Sequence, residues 1–243
     1  MELGIPLFLA AVSVGTSAVS AVLGLGGGLI LQVVLSLFLP FRDLIPVHGV
    51  IQLGSNFFRG MVLWRFLKWP LLMECFFGSL LGGVFARTFL IRISEVHFGF
   101  FMGGFILFIL WVPFPKMKIE LPGKFFILFV VNTFLSCLVG ATGPFVAPFF
   151  LRENLKKEEI VANEAIAQGV THLVKVVVFL SASFEIKNYS AFLLVMIGAG
   201  FLGTLIGKRF LHSLPEHFFR ILFRGVVSVL ALRMLVLSLL KVL

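Results

Sequence analysis

Apolar residues along this chain come in long blocks broken by short polar stretches. The blocks lie near residues 4–23, 26–40, 44–64, 70–90 and 95–113, and again near 125–139, 143–151, 158–182, 189–210 and 216–240. Within a block the pattern does not alternate with period two, which excludes barrel strands, and most blocks approach the roughly 20 apolar residues a helix needs to cross hydrocarbon. Helices satisfy their own backbone in lipid, so the expected fold class is an all-α polytopic membrane protein. The stretch "PFPKMKIELPGK", residues 113–124, interrupts the pattern near the middle of the chain.

The blocks on either side of that break correspond. At an offset of 116, Gly24 meets Gly140, Gly27 meets Gly143, Gln52 meets Gln168, Ser55 meets Thr171 and Arg59 meets Lys175. Further on the offset becomes 121, and Gly82 meets Gly203, Arg87 meets Lys208, Glu95 meets Glu216 and Gly104 meets Gly225. A loop insertion accounts for the change. Residues 1–112 therefore read as a first transmembrane repeat, 113–124 as a cytoplasmic linker, and 125–243 as a second repeat. An odd number of segments per copy makes the second run in the opposite sense, the inverted-repeat plan of many secondary transporters.

One block is too short to cross. Residues 143–151, with Pro144 and Pro148, would make a helix of about 14 Å against about 30 Å of hydrocarbon. They predict a re-entrant hairpin or broken helix with "GATGP" (140–144) at its tip, and "GLGGG" (24–28) as the tip of its counterpart. The glycines have two readings. Gly24 and Gly28 form a G-x-x-x-G, a common signature of close helix packing. Alternatively, a broken helix exposes backbone N–H groups at the start of its second half, where an anion is favoured. A dinucleotide loop is excluded, because Leu29 stands where G-x-G-x-x-G needs its last glycine. The matching break in the second half favours the broken-helix reading.

The third block of each half carries a polar stripe. His48, Gln52, Asn56 and Arg59 in the first, and Glu164, Gln168, His172 and Lys175 in the second, are spaced four, four and three apart. That spacing puts each set on one helix face. Polar stripes of this kind also serve as hydrogen-bonding glue between helices. Two related stripes, each beside a glycine break, point instead to a site. Arg59 and Lys175 are expected nearer the helix ends, one at each mouth, attracting anions. His48 and Glu164 occupy equivalent positions, and either is a candidate proton carrier.

Composition narrows the picture further. The chain is 60% hydrophobic and 13% charged, with a net charge of +9. Soluble domains are about 25% charged, so the basic excess reads as loop topology and not as a nucleic-acid surface. Arg42, Arg87, Arg92, Lys187 and Lys241 share one side. Arg65, Lys68, Lys116, Lys118, Lys124, Arg152, Lys156, Lys157, Lys208 and Arg209 share the other. The richer set is expected in the cytoplasm, which leaves the N-terminus outside. Cys75 and Cys137 lie in apolar blocks without ligand spacing. No triad, metal-ligand pattern or Walker loop is evident, so neither an enzyme nor a cofactor is expected.

With "GLGGGLILQVVLSLF", the later "GATGPFVAPFFL" and two Gln-bearing third blocks, the chain resembles the TauE/SafE family, also described as sulfite exporters or toluene sulfonate uptake permeases. The resemblance covers nearly the whole chain. It implies a secondary transporter of small sulfur-containing anions such as sulfite, sulfoacetate or other organosulfonates, often an exporter, in a prokaryotic cytoplasmic membrane. The second motif departs from the first, with Thr142 and Pro144 in place of Gly26 and Gly28. Together the residues predict substrate binding by Gly24, Gly26, Gly27, Gly28, Gln52, Asn56, Gly140, Thr142, Gly143, Gln168, Thr171 and His172, with alternating access. The expected partners are the anion, the lipid bilayer and protons as coupling ion. A passive anion channel and a membrane scaffold remain the alternatives.

Overall fold

Each apolar block folds as a helix. In the computed structural model the chain is described over residues 4–23, 26–90, 95–112, 121–151, 153–209 and 216–240. Gly24, most of the 113–124 linker, and Arg92, Lys116, Lys118, Arg152 and Lys241 lie outside the described residues. Among the described residues there are ten α-helices and no strand. The first half holds α1 (Gly4–Leu23), α2 (Gly27–Leu35), α3 (Phe41–Val62), α4 (Trp69–Leu90) and α5 (Glu95–Trp111). The second holds α6 (Lys124–Val139), α7 (Gly143–Phe150), α8 (Lys157–Ser181), α9 (Ser190–Arg209) and α10 (Glu216–Leu240).

Both second helices are short. α7 has 8 residues and α2 has 9, about 12–14 Å at the usual rise, so neither crosses a bilayer as a helix. The block at 26–40 looked longer in sequence. Its helix stops at Leu35, where a turn leads to Pro40 at the N-cap of α3. Among the described residues, four segments are long and apolar enough to span: those of α1, α4, α8 and α9. Phe77, Val84, Leu194 and Leu202 project from α4 and α9, each more than half exposed. Such a surface suits hydrocarbon and not water.

The packing has a recurring plan. α3 packs against α8 at the centre, α4 and α9 flank that pair, α1 lies on α9, α6 lies on α4, and α5 pairs with α10. Exchanging the halves maps this set of pairings onto itself. Individual contacts follow the same rule. A methyl at Gly82 would collide with the Val130 carbonyl, and one at Gly203 with the Val14 carbonyl. Ser17 Oγ lies 3.0 Å from Ser55 Oγ, and Thr133 Oγ1 lies 3.3 Å from Thr171 Oγ1. Both pairs are related by the offsets that relate the sequence. Bare glycine backbones allow such close helix approach where no hydrophobic force separates helix from lipid.

Polar contacts between helix ends fall into two groups. In one, Tyr189 donates to Asp43 Oδ2 at 2.8 Å, and Arg87 donates to Ser181 Oγ at 2.7 Å. In the other, Lys68 pairs with Glu159 at 2.7 Å, Lys124 pairs with Glu153, and the Asn163 amide donates to the Phe66 carbonyl at 2.9 Å. Arg87, of the first basic set read from the loops, falls in the first group, and Lys68 and Lys124, of the second set, fall in the second. Glu74, just inside α4, accepts the Phe125 N–H at the start of α6 (3.2 Å), satisfying one of the donors a helix start leaves open.

Candidate functional site

The two breaks turn the chain by different residues. Gly26 has φ +92 and precedes α2, whereas Gly140 has φ +84 and ends α6. These are not equivalent positions. Gly26 corresponds to Thr142, whose β-branched side chain disfavours positive φ. Thr142 sits at φ −121, and the second break makes its turn two residues earlier. Neither α2 nor α7 has a side chain capping its start. Their first N–H groups therefore lack intrahelical partners. Pro144 removes one such donor from α7, so α2 offers the fuller set.

Both breaks open onto one cavity of about 30 Å³, enough for about one or two waters. Gly26 and Gly28 line it from the first half; Thr142 and Gly143 line it from the second. The stripes close it: His48, Gln52, Asn56 and Arg59 from α3 face Glu164, Gln168 and His172 from α8. All seven stripe residues are at most 6% exposed. Gly28 abuts the Gln52 amide, and Gly143 lies against Glu164 and Gln168.

Charge and hydrogen bonding in the cavity are incompletely paired. Arg59 Nη2 donates to Asn56 Oδ1 at 2.6 Å and lies 3.7 Å from Glu164 Oε2. At that distance the ions attract but do not hydrogen-bond. His48 Nε2 contacts the Gly28 carbonyl at 2.9 Å, and its ring meets that of His172 edge-on, centroids 5.7 Å apart. Both ends of the Gln168 amide, Arg59 Nε, Thr142 Oγ1, Glu164 Oε2 and one nitrogen of each histidine have no hydrogen-bond partner. Buried polar atoms are nearly always satisfied. A cluster of unsatisfied ones around a cavity suits a polar ligand.

Not every expected site residue belongs here. Arg59 does not stand at a mouth: it is 4% exposed and lines the cavity. Lys175, 0% exposed, is not at a mouth either. Its ammonium donates to the Gly140 carbonyl at 2.9 Å and to Ser136 Oγ at 3.2 Å, capping the negative end of α6. Thr171 is turned about 100° around the helix from His172, and it bonds Asn132 at 3.0 Å on the α6 side. Gly27 packs against Thr16 and Ser20 of α1. Gly140 holds the turn against Gln32 instead of lining the cavity. Gly24 lies outside the described residues.

Five residues were not anticipated. Ser20, Leu29, Ala141 and Pro144 also line the cavity. Gln32, fully buried in apolar α2, donates to the Val139 carbonyl and ties one break to the other. A lone amide within "LILQVVL" was the available signal for Gln32, and the Ser13, Thr16, Ser17, Ser20 stripe of α1 was the signal for Ser20.

A polar cavity between two broken elements of a lipid-facing bundle accords with the outcome of the comparisons. The sequence matches the profile of the family described as "Sulfite exporter TauE/SafE" over residues 7–234. The chain belongs to this family. Nearly the whole chain is covered, both breaks and both stripes included. TauE/SafE membership makes it an integral membrane protein of a transporter family, not of an enzyme family, and implies movement of sulfur-containing anions such as sulfite. No curated protein and no solved structure shows significant similarity to the chain.

Proposed function

We propose that the chain is a secondary transporter that exports a small sulfur oxyanion by alternating access, binding it in the cavity between the two breaks. The observation that carries this reading is the convergence of two uncapped helix starts on one cavity with a buried guanidinium and the unpartnered Gln168 amide. The α2 N–H groups and the Gln52 and Gln168 amides hydrogen-bond the anion, while Arg59 supplies charge. Two inverted repeats, 1–112 and 125–243, rock about the α3–α8 contact; the exchange-related contacts support that plan. No nucleotide-binding motif is read from the sequence, so an ion gradient drives transport.

Glu164 couples a proton to the anion. It is the one carboxylate among the described residues lining the cavity, facing Arg59 and His48 on α3 and sharing α8 with His172. Lys175, on the same helix, points to Gly140. An ionised Glu164 competes with an entering anion for Arg59. Proton uptake removes that competition, so proton and anion strengthen each other's binding by linkage.

The test is a panel of sulfite, sulfoacetate, taurine, sulfate and thiosulfate, read as ligand-induced stabilisation of the purified protein and as flux into proteoliposomes. At least one sulfur oxyanion is expected to raise Tm and to be carried, with affinity rising as pH falls. Glu164→Gln should flatten that pH dependence. Silence across the panel would remove the reading; a pH dependence unchanged in Glu164→Gln would remove Glu164 from it.

A further inference from the structure

Arg59 borders a second cavity. With Arg59, Ala21 of α1, Val62 and Leu63 at the end of α3, and Thr204 and Lys208 of α9 line about 10 Å³. Buried Arg59 is thus common to the linings of both cavities. Asn56 holds Arg59 Nη2 from the central side, while Arg59 Nε has no partner. Lys208 is exposed at the outer end of the seam and makes no ion pair among the described residues.

The corresponding cations of the other half are engaged. Lys175, the counterpart of Arg59, is bonded to Gly140 and Ser136. Arg87, the counterpart of Lys208, is held by Ser181 through Nε at 2.7 Å and Nη2 at 2.9 Å. One end of the molecule thus has two cations along a seam with a cavity between them, and the other has the same pair tied down.

Resting on the anion-site reading above, we propose that the seam between α1, α3 and α9 is the anion's passage to one face of the membrane. Lys208 is its outer anion station and Arg59 the gate between that station and the central site. At about 10 Å³ the seam admits a water and not an oxyanion, so this conformation is closed there. Opening requires α9 and α1 to part from the end of α3 and Arg59 to swing outward with the anion. Val62 and Leu63 form the apolar collar that shuts behind it. Lys208 belongs to the basic set that the loop count assigns to the cytoplasm, so this is the face from which an exported anion is loaded.

The deciding experiment uses the full chain in proteoliposomes. In Val62→Cys, a water-soluble anionic methanethiosulfonate supplied from the Lys208 face is expected to react faster than a cationic one of similar size. Adding Lys208→Gln should slow the anionic reagent about fivefold, the scale of one charge at close range in water, and leave the cationic one unslowed. Lys208→Arg should restore the preference. In the otherwise native sequence, Lys208→Gln should slow sulfite loading from that face at low ionic strength and keep sulfite affinity within about twofold of the parent, because the station lies outside the central site. Arg87→Gln should leave loading from the Lys208 face unchanged. No modification of Val62→Cys, or a charge preference indifferent to residue 208, overturns the passage. The reagent arm needs no substrate, so it reads the seam even if no sulfur anion binds and the transport reading itself has failed.

Discussion

On the proposed reading, Arg59 and Glu164 form a buried pair arranged for a ligand instead of for stability. At 3.7 Å, without a shared hydrogen bond, the pair gains only part of its attraction and leaves Glu164 Oε2 and Arg59 Nε unsatisfied. Breaking such a pair strands a charge in a low-dielectric interior. Arg59→Met is therefore expected to destabilise the protein by about 3 kcal/mol, read as a fall in Tm in detergent. Arg59→Met with Glu164→Gln should recover most of that stability and still fail to bind the anion. Recovery of binding in the double variant would show that the guanidinium is structural. Gln168 gives the complementary case. Neither end of its amide has a protein partner, so Gln168→Ala should leave Tm nearly unchanged. It should weaken anion binding by about 10- to 100-fold, the value of a hydrogen bond to a charge. A fall in Tm with affinity intact would place Gln168 in the scaffold.

Among the elements, the helices were legible and several of their partners were not. A block of nine residues that includes Pro144 and Pro148 was enough to exclude a full span at α7, and the four, four, three spacing was enough to align each polar stripe. Spacing fixes a helix face but not what the face meets. Lys175 shares a stripe with Gln168, yet its long side chain reaches the carbonyl of Gly140, a partner 35 residues away that exists only because α6 ends there. Thr171 shows the same limit, since the neighbours that claim it lie on α4 and α6. Gly82 and Gly203 show what correspondence adds. Each meets a backbone carbonyl, which cannot move aside as a side-chain tip can. Gly82→Ala and Gly203→Ala should each lower stability by about 1–3 kcal/mol. Gly104→Ala, where a methyl meets nothing within 4 Å, should change it by about 0.5 kcal/mol or less. Unequal losses at Gly82 and Gly203 would argue against equivalent helix contacts.

At the scale of the molecule, the contacts between helix ends make a claim that basic-residue counts alone cannot. The start of α3 meets the start of α9 through Asp43 and Tyr189, and the end of α4 meets the end of α8 through Arg87 and Ser181. These contacts require one membrane face to carry Arg42, Arg87 and Lys187. The Lys68–Glu159 and Lys124–Glu153 pairs gather the opposite face. Arg42, Arg65, Lys156 and Lys187 are all exposed, whereas Cys75 and Cys137 are each 0% exposed and leave a quiet background for thiol labelling. In single-cysteine substitutions, an impermeant maleimide applied to intact cells should label positions 42 and 187 and spare 65 and 156. Inverted vesicles should give the reverse. Exchange of both pairs together would turn the molecule over in its membrane and leave its architecture standing, because each contact joins ends on the same face whichever way that face points. Labelling of 42 and 187 from different faces would be incompatible with the Asp43–Tyr189 contact, and with the proposed inverted plan.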